Sequence, residues 1–398
     1  MRFGLESLLK KLAKGINKMK IIFISSSLEP GRDGAGDQIR TLAAEMIKKG
    51  HECAILALYD KLTEKEFNDY QETLGIQVKT LRLPSIWTAD KRFDSAKIWI
   101  NEFNPDWISL HYVCFGFNKY GLPMEMITSF RKITGNAKLN IMFWELWCGM
   151  NNSAKNYKEK VLGFLQKIHL KVMVMALKPD SIFTSTDYYI THLKKIGISS
   201  SLVPVIGNIP TGYFGSEEEW NEVTNNLGLI HLKNKDEWLT VGFFGSFYPC
   251  KGLKELIEDT TKAAKQLNKT LCIITIGKSR QNSTEEMIKE MPDIKYIKTG
   301  VLEPEMVNRV MQLVDMGIVT SSANGITKSS SAISWMERGI PILISKKDKT
   351  YLQQHMEPEG IFQINSDKDI IKVHALSIPV KNPVDEVLKH YGSLEYVN

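Results

Sequence analysis

Four short stretches in the second half of the chain carry residue types suited to holding a phosphate or a nucleotide. In GITKSSSAIS, Lys328 and the hydroxyls of Ser329, Ser330 and Ser331 precede a helical pattern bearing Ala332, Ile333 and Met336. A cation and several donors therefore converge where a helix start leaves backbone N–H groups free, an arrangement that binds phosphate oxygens. In FFGSFYPCKG, Gly245 and Ser246 close an apolar run, and Lys251 and Gly252 stand at the beginning of the next helical pattern. In ITIGKSR, Gly277 lets a ligand approach the backbone, and in KTGVLEP the Gly300–Val301 backbone is placed to meet a base edge. Taken singly, each stretch is equally a turn or a helix cap. Four in succession along the chain, with GITKSSSAIS last and each at the end of a strand, make a candidate nucleotide site, because doubly wound sheets bind ligands beyond the carboxyl ends of their strands.

The elements that must position these residues alternate. MKIIFISSS reads as a buried parallel strand, followed by the glycine-rich LEPGRDGAGDQIR, whose Gly34 and Gly36 are binding candidates from the first half of the chain. Asp37 can cap a helix with Ile39, Leu42, Ala43, Met46 and Ile47 on its apolar face, ended by Gly50, and ECAILAL is the next strand. Further strands read at DWISLHYV, LNIMFWEL, SIFTST and SSLVPV, with helix from about 155 to 177. The polar, turn-rich GNIPTGYFGSEEEWNEVTNNLG reads as an interdomain connection. A second cycle follows, with strands at EWLTVGFFGSF, TLCIITIG, KYIKTGV, MGIVTS and IPILIS between helical stretches KGLKELIEDTTKAAKQL and PEMVNRVMQLV, and NPVDEVLKHYGSL closes as a helix. Strand–helix alternation twice over predicts two Rossmann-like doubly wound α/β domains facing a cleft. The expected divisions are a leader at 1–18, a first domain at 19–210, a second at 211–380 and a C-terminal helix and tail at 381–398.

Composition excludes several classes. Cys53, Cys114, Cys148, Cys250 and Cys272 form no CxxC pair, and the eight histidines form no HxxxH or HEXXH, so neither a disulfide framework nor a metal site is indicated. The chain reads as a reduced, cytoplasmic protein. Its net charge of +6 is concentrated: residues 1–20 carry +5 and the remainder +1. With no basic excess past residue 20 and no recognisable module, nucleic acid is not an expected partner. Within that leader, Leu5, Leu8, Leu9, Leu12 and Ile16 share one helix face. Such a basic amphipathic helix lies on an anionic membrane surface, packs on its own protein, or frays. No apolar run is long enough to cross a bilayer. GRDGAG is not the GxGxxG spacing and lacks a placed acidic ribose ligand, which disfavours a nicotinamide-dependent oxidoreductase.

Over about residues 20–350 the chain resembles the GT-B glycosyltransferases, in particular the glycosyltransferase family 4-like group. The resemblance rests on GAGDQIRTLAAEMIKKGHE, PVIGNIP, GFFGSFYPCKGLKELIE and MGIVTSSANGITKSSSAISWMERGIPILIS in that order. GFFGSFYPCKGLKELIE is similar to the family's Gly-Arg-Leu-x-x-x-Lys-Gly donor loop, with Ser246 at the arginine position and Lys251 at the lysine. The last stretch is similar to the Glu-x7-Glu segment, but the two acidic positions fall on Ile326 and Ser334. Lys328 with Ser329, Ser330 and Ser331 fits a divergent variant of that loop. The family's first-domain catalytic position corresponds to Trp144–Glu145, making Glu145 the candidate active-site carboxylate, with an exposed strand-end acid as its alternative. His111 is a second polar candidate, read as a structural histidine among apolar neighbours.

The resemblance implies a retaining, metal-independent glycosyltransferase with no cofactor. Its donor would be a nucleotide diphosphate-sugar and its acceptor a glycan, a lipid-linked molecule or a small molecule, as in cell-surface polysaccharide or glycoconjugate assembly. It would work in the cytoplasm or peripherally at the inner face of the membrane through residues 1–18. Loss of the family acids supports a non-catalytic GT-B protein that binds a nucleotide sugar or a partner transferase, and a nucleotide-sugar epimerase is a further alternative. Trp144, Trp147, Phe247 and Tyr248 would stack on a sugar or pack in the core.

Overall fold

The computed structural model describes residues 18–150, 156–207, 209–212, 215–245, 250, 252–277, 282–291, 293–321, 323–345, 360–380 and 383–393. The leader expected over 1–18 falls outside them except for Lys18, as do Ser246, Phe247, Tyr248 and Lys251. Of the described residues, those in 18–184, 189–202 and 388–393 form one compact unit, and those in 185–188 and 203–387 form another. The sequence places the first domain's end at 210, whereas the chain enters the second unit from Val203, and residues 388–393 return to the first.

The first unit is an eight-stranded sheet of β1 (Lys20–Ser25), β2 (Glu52–Asp60), β3 (Phe67–Thr73), β4 (Ile76–Pro84), β5 (Trp107–Tyr112), β6 (Lys138–Phe143), β7 (Ser181–Thr184) and β8 (Ser201–Leu202). Their order is β3-β4-β2-β1-β5-β6-β7-β8, parallel except for the β3–β4 hairpin. The direction of winding reverses beside β1, where β2 pairs on one side and β5 on the other. The crossover helix α1 (Gly34–Lys48) buries Ile39, Leu42, Ala43 and Met46, the stripe the sequence predicts. Its N-cap is Asp33, not Asp37: Gly36 N–H donates to Asp33 Oδ1 at 2.8 Å, while Asp37 lies in the first turn and pairs with Arg40 at 2.6 Å. Helices α2 (Ala89–Phe103) and α3 (Tyr157–Leu177) make further crossovers.

A buried ion pair fixes the loop after β1. Asp60, fully buried at the end of β2, accepts from Arg82 Nε at 2.8 Å, Ser27 Oγ at 2.9 Å, Leu62 N at 2.9 Å and Leu28 N at 3.3 Å. Arg82 also donates to Glu29 at 2.6 Å. Both charges are thus paired and hydrogen-bonded, the condition for a buried ion pair to be tolerated.

The second unit is a six-stranded, wholly parallel sheet of β9 (Trp238–Phe244), β10 (Thr270–Ile276), β11 (Ile294–Gly300), β12 (Met316–Ile318), β13 (Ile342–Ser345) and β14 (Ile361–Ile364), ordered β11-β10-β9-β12-β13-β14. Its helices include α4 (Glu217–Leu227), α5 (Leu253–Gln266), α6 (Pro304–Gln312), α7 (Ser330–Met336) and α8 (Asp367–His374), and α9 (Pro383–Ser393) closes the described chain. The stretch read as an interdomain connection contains α4, opened by a capping box of Ser216 and Glu219. Trp335 of α7 is fully buried over Gly242 of β9 and its register partner Gly317 of β12. A Cβ at either glycine would come within 2.7 Å of the indole, so both positions are glycine to admit it.

Candidate active site

Three neighbouring strands of the second sheet end in the same way. Gly245 follows β9 at φ +75°, Gly277 follows β10 at +97°, and Gly300 ends β11 at +68°. This left-handed region is open to glycine and strained for other residues. Gly245 N–H donates to Ile276 O at 2.9 Å and Gly277 N–H to Gly300 O at 3.0 Å, so the turns line up along the carboxyl edge. A Cβ at Gly277 would lie 3.7 Å from Gly245 Cα, and one at Gly245 would lie 3.1 Å from Ser331 Oγ. The loop after β12 and the start of α7 are therefore beside the loop after β9. Winding in this sheet reverses between β9 and β12, the crevice in which doubly wound sheets bind ligands. Gly245, Gly277, Val301 and Ser329 to Ser331 all belong to this carboxyl edge, with Val301 77% exposed just past β11.

The serines divide between structure and availability. Ser329 is the N-cap of α7, its Oγ accepting from Ala332 N–H at 3.4 Å, so its hydroxyl is spent on the helix. Among the described residues, the hydroxyls of Ser330 and Ser331 make no hydrogen bond. Lys328 ends a short 3-10 turn and is half-buried. Ile326 and Ser334, the positions that the resemblance sets against acids, are both fully buried, and Ser334 O accepts from Arg338 at 2.7 Å.

Sequence reasoning missed Glu337, one turn after Ser334. Its Oε1 accepts from Gly207 N–H at 2.8 Å, and a Cβ at Gly207 would lie 2.1 Å from its Oε2. Next to it, Arg338 donates to Asn308 Oδ1 at 2.9 Å, Ser334 O at 2.7 Å, Pro210 O at 3.1 Å and Ile209 O at 3.2 Å. Burial raises the Glu337 carboxyl to about 7, against the opposing effects of Gly207 N–H and Arg338, and lowers Arg338 to about 10. The adjacent acid and arginine in MERGIP, just before Gly-x-Pro, were the available signal, but they match no position of the Glu-x7-Glu pattern.

In the first unit the candidates lie around the reversal at β1 and β5. Gly36 is a packing glycine: its Cβ would meet Ser27 O at 2.3 Å, whereas Gly34 faces open space. Asp33 also accepts from Ser26 Oγ at 3.2 Å, and burial raises its carboxyl above the usual range. Glu145 lies two residues past β6, is half-buried, and makes no hydrogen bond among the described residues. Its charge adds to burial in pushing the Cys114 thiol up to about 12.

His111 is buried within β5 with both ring nitrogens engaged. Trp144 Nε1 donates to Nδ1 at 3.0 Å, which leaves the neutral ring's proton on Nε2, 3.3 Å from the Tyr391 hydroxyl of α9. Tyr391 lies 3.1 Å from Ser109 Oγ, which donates to Asn140 Oδ1 at 2.8 Å, and Asn140 donates to Ser181 Oγ at 2.8 Å. Burial lowers the His111 imidazole to about 3, so it is neutral in this relay. Trp144 is therefore positioned by His111, while Trp147 lies edge-on to His192 at 6.1 Å.

Among the described residues, no group of three His, Cys, Asp or Glu side chains could hold a metal ion, and no helix is long and apolar enough to cross a membrane.

No sequence-family model matches the chain, and no curated protein matches it. Solved structures do match in fold. The catalytic domain of starch synthase IV from Arabidopsis thaliana, bound to ADP and acarbose, aligns over 96% of this chain and 100% of that one, with 12% identity and a TM-score of 0.54. An α,α-trehalose-phosphate synthase (UDP-forming) from Burkholderia vietnamiensis covers 96% and 94%, with 9% identity and a TM-score of 0.51. A glycosyltransferase from Rickettsia africae ESF-5 covers 96% and 94%, with 14% identity and a TM-score of 0.51. The two parallel-sheet α/β units have the GT-B fold.

Proposed function

We propose that the protein is a family 4-like glycosyltransferase that moves a sugar from a nucleoside diphosphate to an acceptor. The observation that carries this reading is the row of left-handed glycine turns at Gly245, Gly277 and Gly300, with Ser331 beside the first of them. Absence of side chains along that edge lets a diphosphate and a ribose lie against the backbone, and Lys328 with Ser330 and Ser331 supplies charge and hydroxyl donors. The resemblance assigns Lys251 and Ser246, which lie outside the described residues, to the same donor-binding role. Support for a nucleoside diphosphate comes from solved structures of the same fold, one holding ADP and one forming UDP.

In the reaction the bond from the anomeric carbon to the diphosphate oxygen breaks while an acceptor hydroxyl oxygen bonds to that carbon and passes its proton to the departing diphosphate. Positive charge develops on the sugar and negative charge on the departing diphosphate. Backbone amides at the second sheet's edge and Lys328 stabilise the latter without a metal, and configuration is retained. Glu145, a half-buried carboxylate free of hydrogen bonds among the described residues, serves the acceptor side. His111, with both nitrogens engaged, positions Trp144 instead of exchanging protons. The acceptor is a glycan, lipid-linked or small-molecule hydroxyl of a cell-surface glycoconjugate, with residues 1–18 holding the cytoplasmic protein at the membrane.

A second reading, a non-catalytic protein that binds a nucleotide sugar, is favoured by the burial of Ile326 and Ser334 where the family carries acids. Release of nucleoside diphosphate from a donor panel, with and without acceptor glycolipids, separates the two. A transferase gives acceptor-dependent release that Lys328→Ala lowers by roughly ten- to hundredfold in kcat/KM. Donor binding without release establishes the non-catalytic reading instead.

A further inference from the structure

Helix α3 presents a second apolar face that is exposed among the described residues. Its inward side buries Gly163, Gln166, His169, Leu170, Met173 and Leu177. On the outside, Tyr157 (79% exposed), Phe164 (62%) and Met175 (65%) are joined by exposed Val161, Leu165, Ile168 and Val172. At about 100° per residue these seven fall within an arc of about 100°, in a stripe about 27 Å long. Contiguous exposed apolar stripes of this length mark interaction surfaces.

Charge identifies the partner. Lys160, Lys167 and Lys171 run along one border of the stripe, Lys158 stands on the other, and the helix's single acid, Glu159, points to the opposite side. Pairing with a second copy of α3 would set lysine border against lysine border when antiparallel. When parallel, it would set that border against one with no acid. Neither arrangement forms an ion pair. An anionic lipid surface complements both features, taking the apolar stripe among its acyl chains and the lysines among its headgroups. We propose that α3 docks the protein on an anionic membrane, with the helix lying in the plane of the interface. This surface belongs to a different stretch of sequence from residues 1–18 and does not depend on the transfer reaction.

The test is co-sedimentation of the full chain with vesicles of phosphatidylcholine, with and without phosphatidylglycerol. Wild type is expected to bind the anionic vesicles and to be released by salt. Phe164→Glu with Ile168→Glu should weaken partitioning by roughly tenfold or more, with an unchanged melting temperature because both side chains are exposed. Lys160→Gln with Lys167→Gln and Lys171→Gln should reduce the preference for anionic lipid. Wild-type failure to bind anionic vesicles, or equal binding by the double glutamate variant with its leader intact, overturns the proposal. So does a double variant that only splits a solution dimer while vesicle binding is unaffected.

Discussion

Asp60→Ala should destabilise the first unit by about 3–5 kcal/mol, because it leaves the buried Arg82 guanidinium without its principal partner. Asp60 is fully buried and accepts from four groups, two of them in the loop that follows β1. Removing it also unties that loop beside Gly36, where α1 approaches Ser27 O too closely for any side chain. The cost should come from the orphaned charge more than from lost attraction. Asp60→Ala combined with Arg82→Met should therefore recover a substantial share of the stability, although two polar groups have been removed. Urea unfolding of both variants checks this. A double variant no more stable than Asp60→Ala would show that the ion pair is not what holds the loop.

Glu337 makes stability fall as pH rises from 4.5 to neutrality. Burial raises its carboxyl from an ordinary value of 4.5 to about 7, a change corresponding to about 3 kcal/mol. The folded state holds the proton where the unfolded state has released it. This contribution to stability is fully present below pH 4.5 and is lost as pH rises through 7. Glu337→Gln keeps an acceptor for Gly207 N–H and removes the titration. The variant should match wild type near pH 4.5 and exceed it by up to about 3 kcal/mol near pH 8. Urea midpoints at the two pH values measure the difference. A gap that stays constant with pH would mean that Glu337 is ionised throughout, held by Arg338.

The fold was legible where local pattern and tertiary role agree. β1, α1, β9 and α6 each show their period and end signals within a dozen residues, and the strand–helix alternation leaves little choice of topology. The hairpin of β3 and β4 was not read, because FNDYQET is polar and largely exposed and shows no core-facing alternation. Its turn at Leu74 and Gly75, both at positive φ, was the remaining signal. The connection read between the domains hid α4 because its acidic first turn looks like a solvated loop, although Ser216 and Glu219 spell a capping box. Assigning the cap of α1 to Asp37 overlooked Asp33, since GAG reads as loop when its glycines are in fact the helix's first turn.

For the candidate site, the glycine turns were legible because positive φ restricts residue choice strongly. Asp60 and Glu337 were not, because a carboxylate's burial is set by distant residues that no local window contains. The same holds for Tyr391, which reaches Ser109 across 282 positions of sequence.

The account stands on nucleotide binding at the carboxyl edge of the second sheet. Amide hydrogen exchange, with and without a panel of uridine and adenosine diphosphate-sugars, tests it most directly. Added donor should slow exchange at Gly245, Gly277, Gly300 and Val301, and across Ser329 to Ala332, more than anywhere in the first sheet. If no donor in the panel protects these four segments, or if protection appears only in the first unit, the nucleotide site is not where this structure places it.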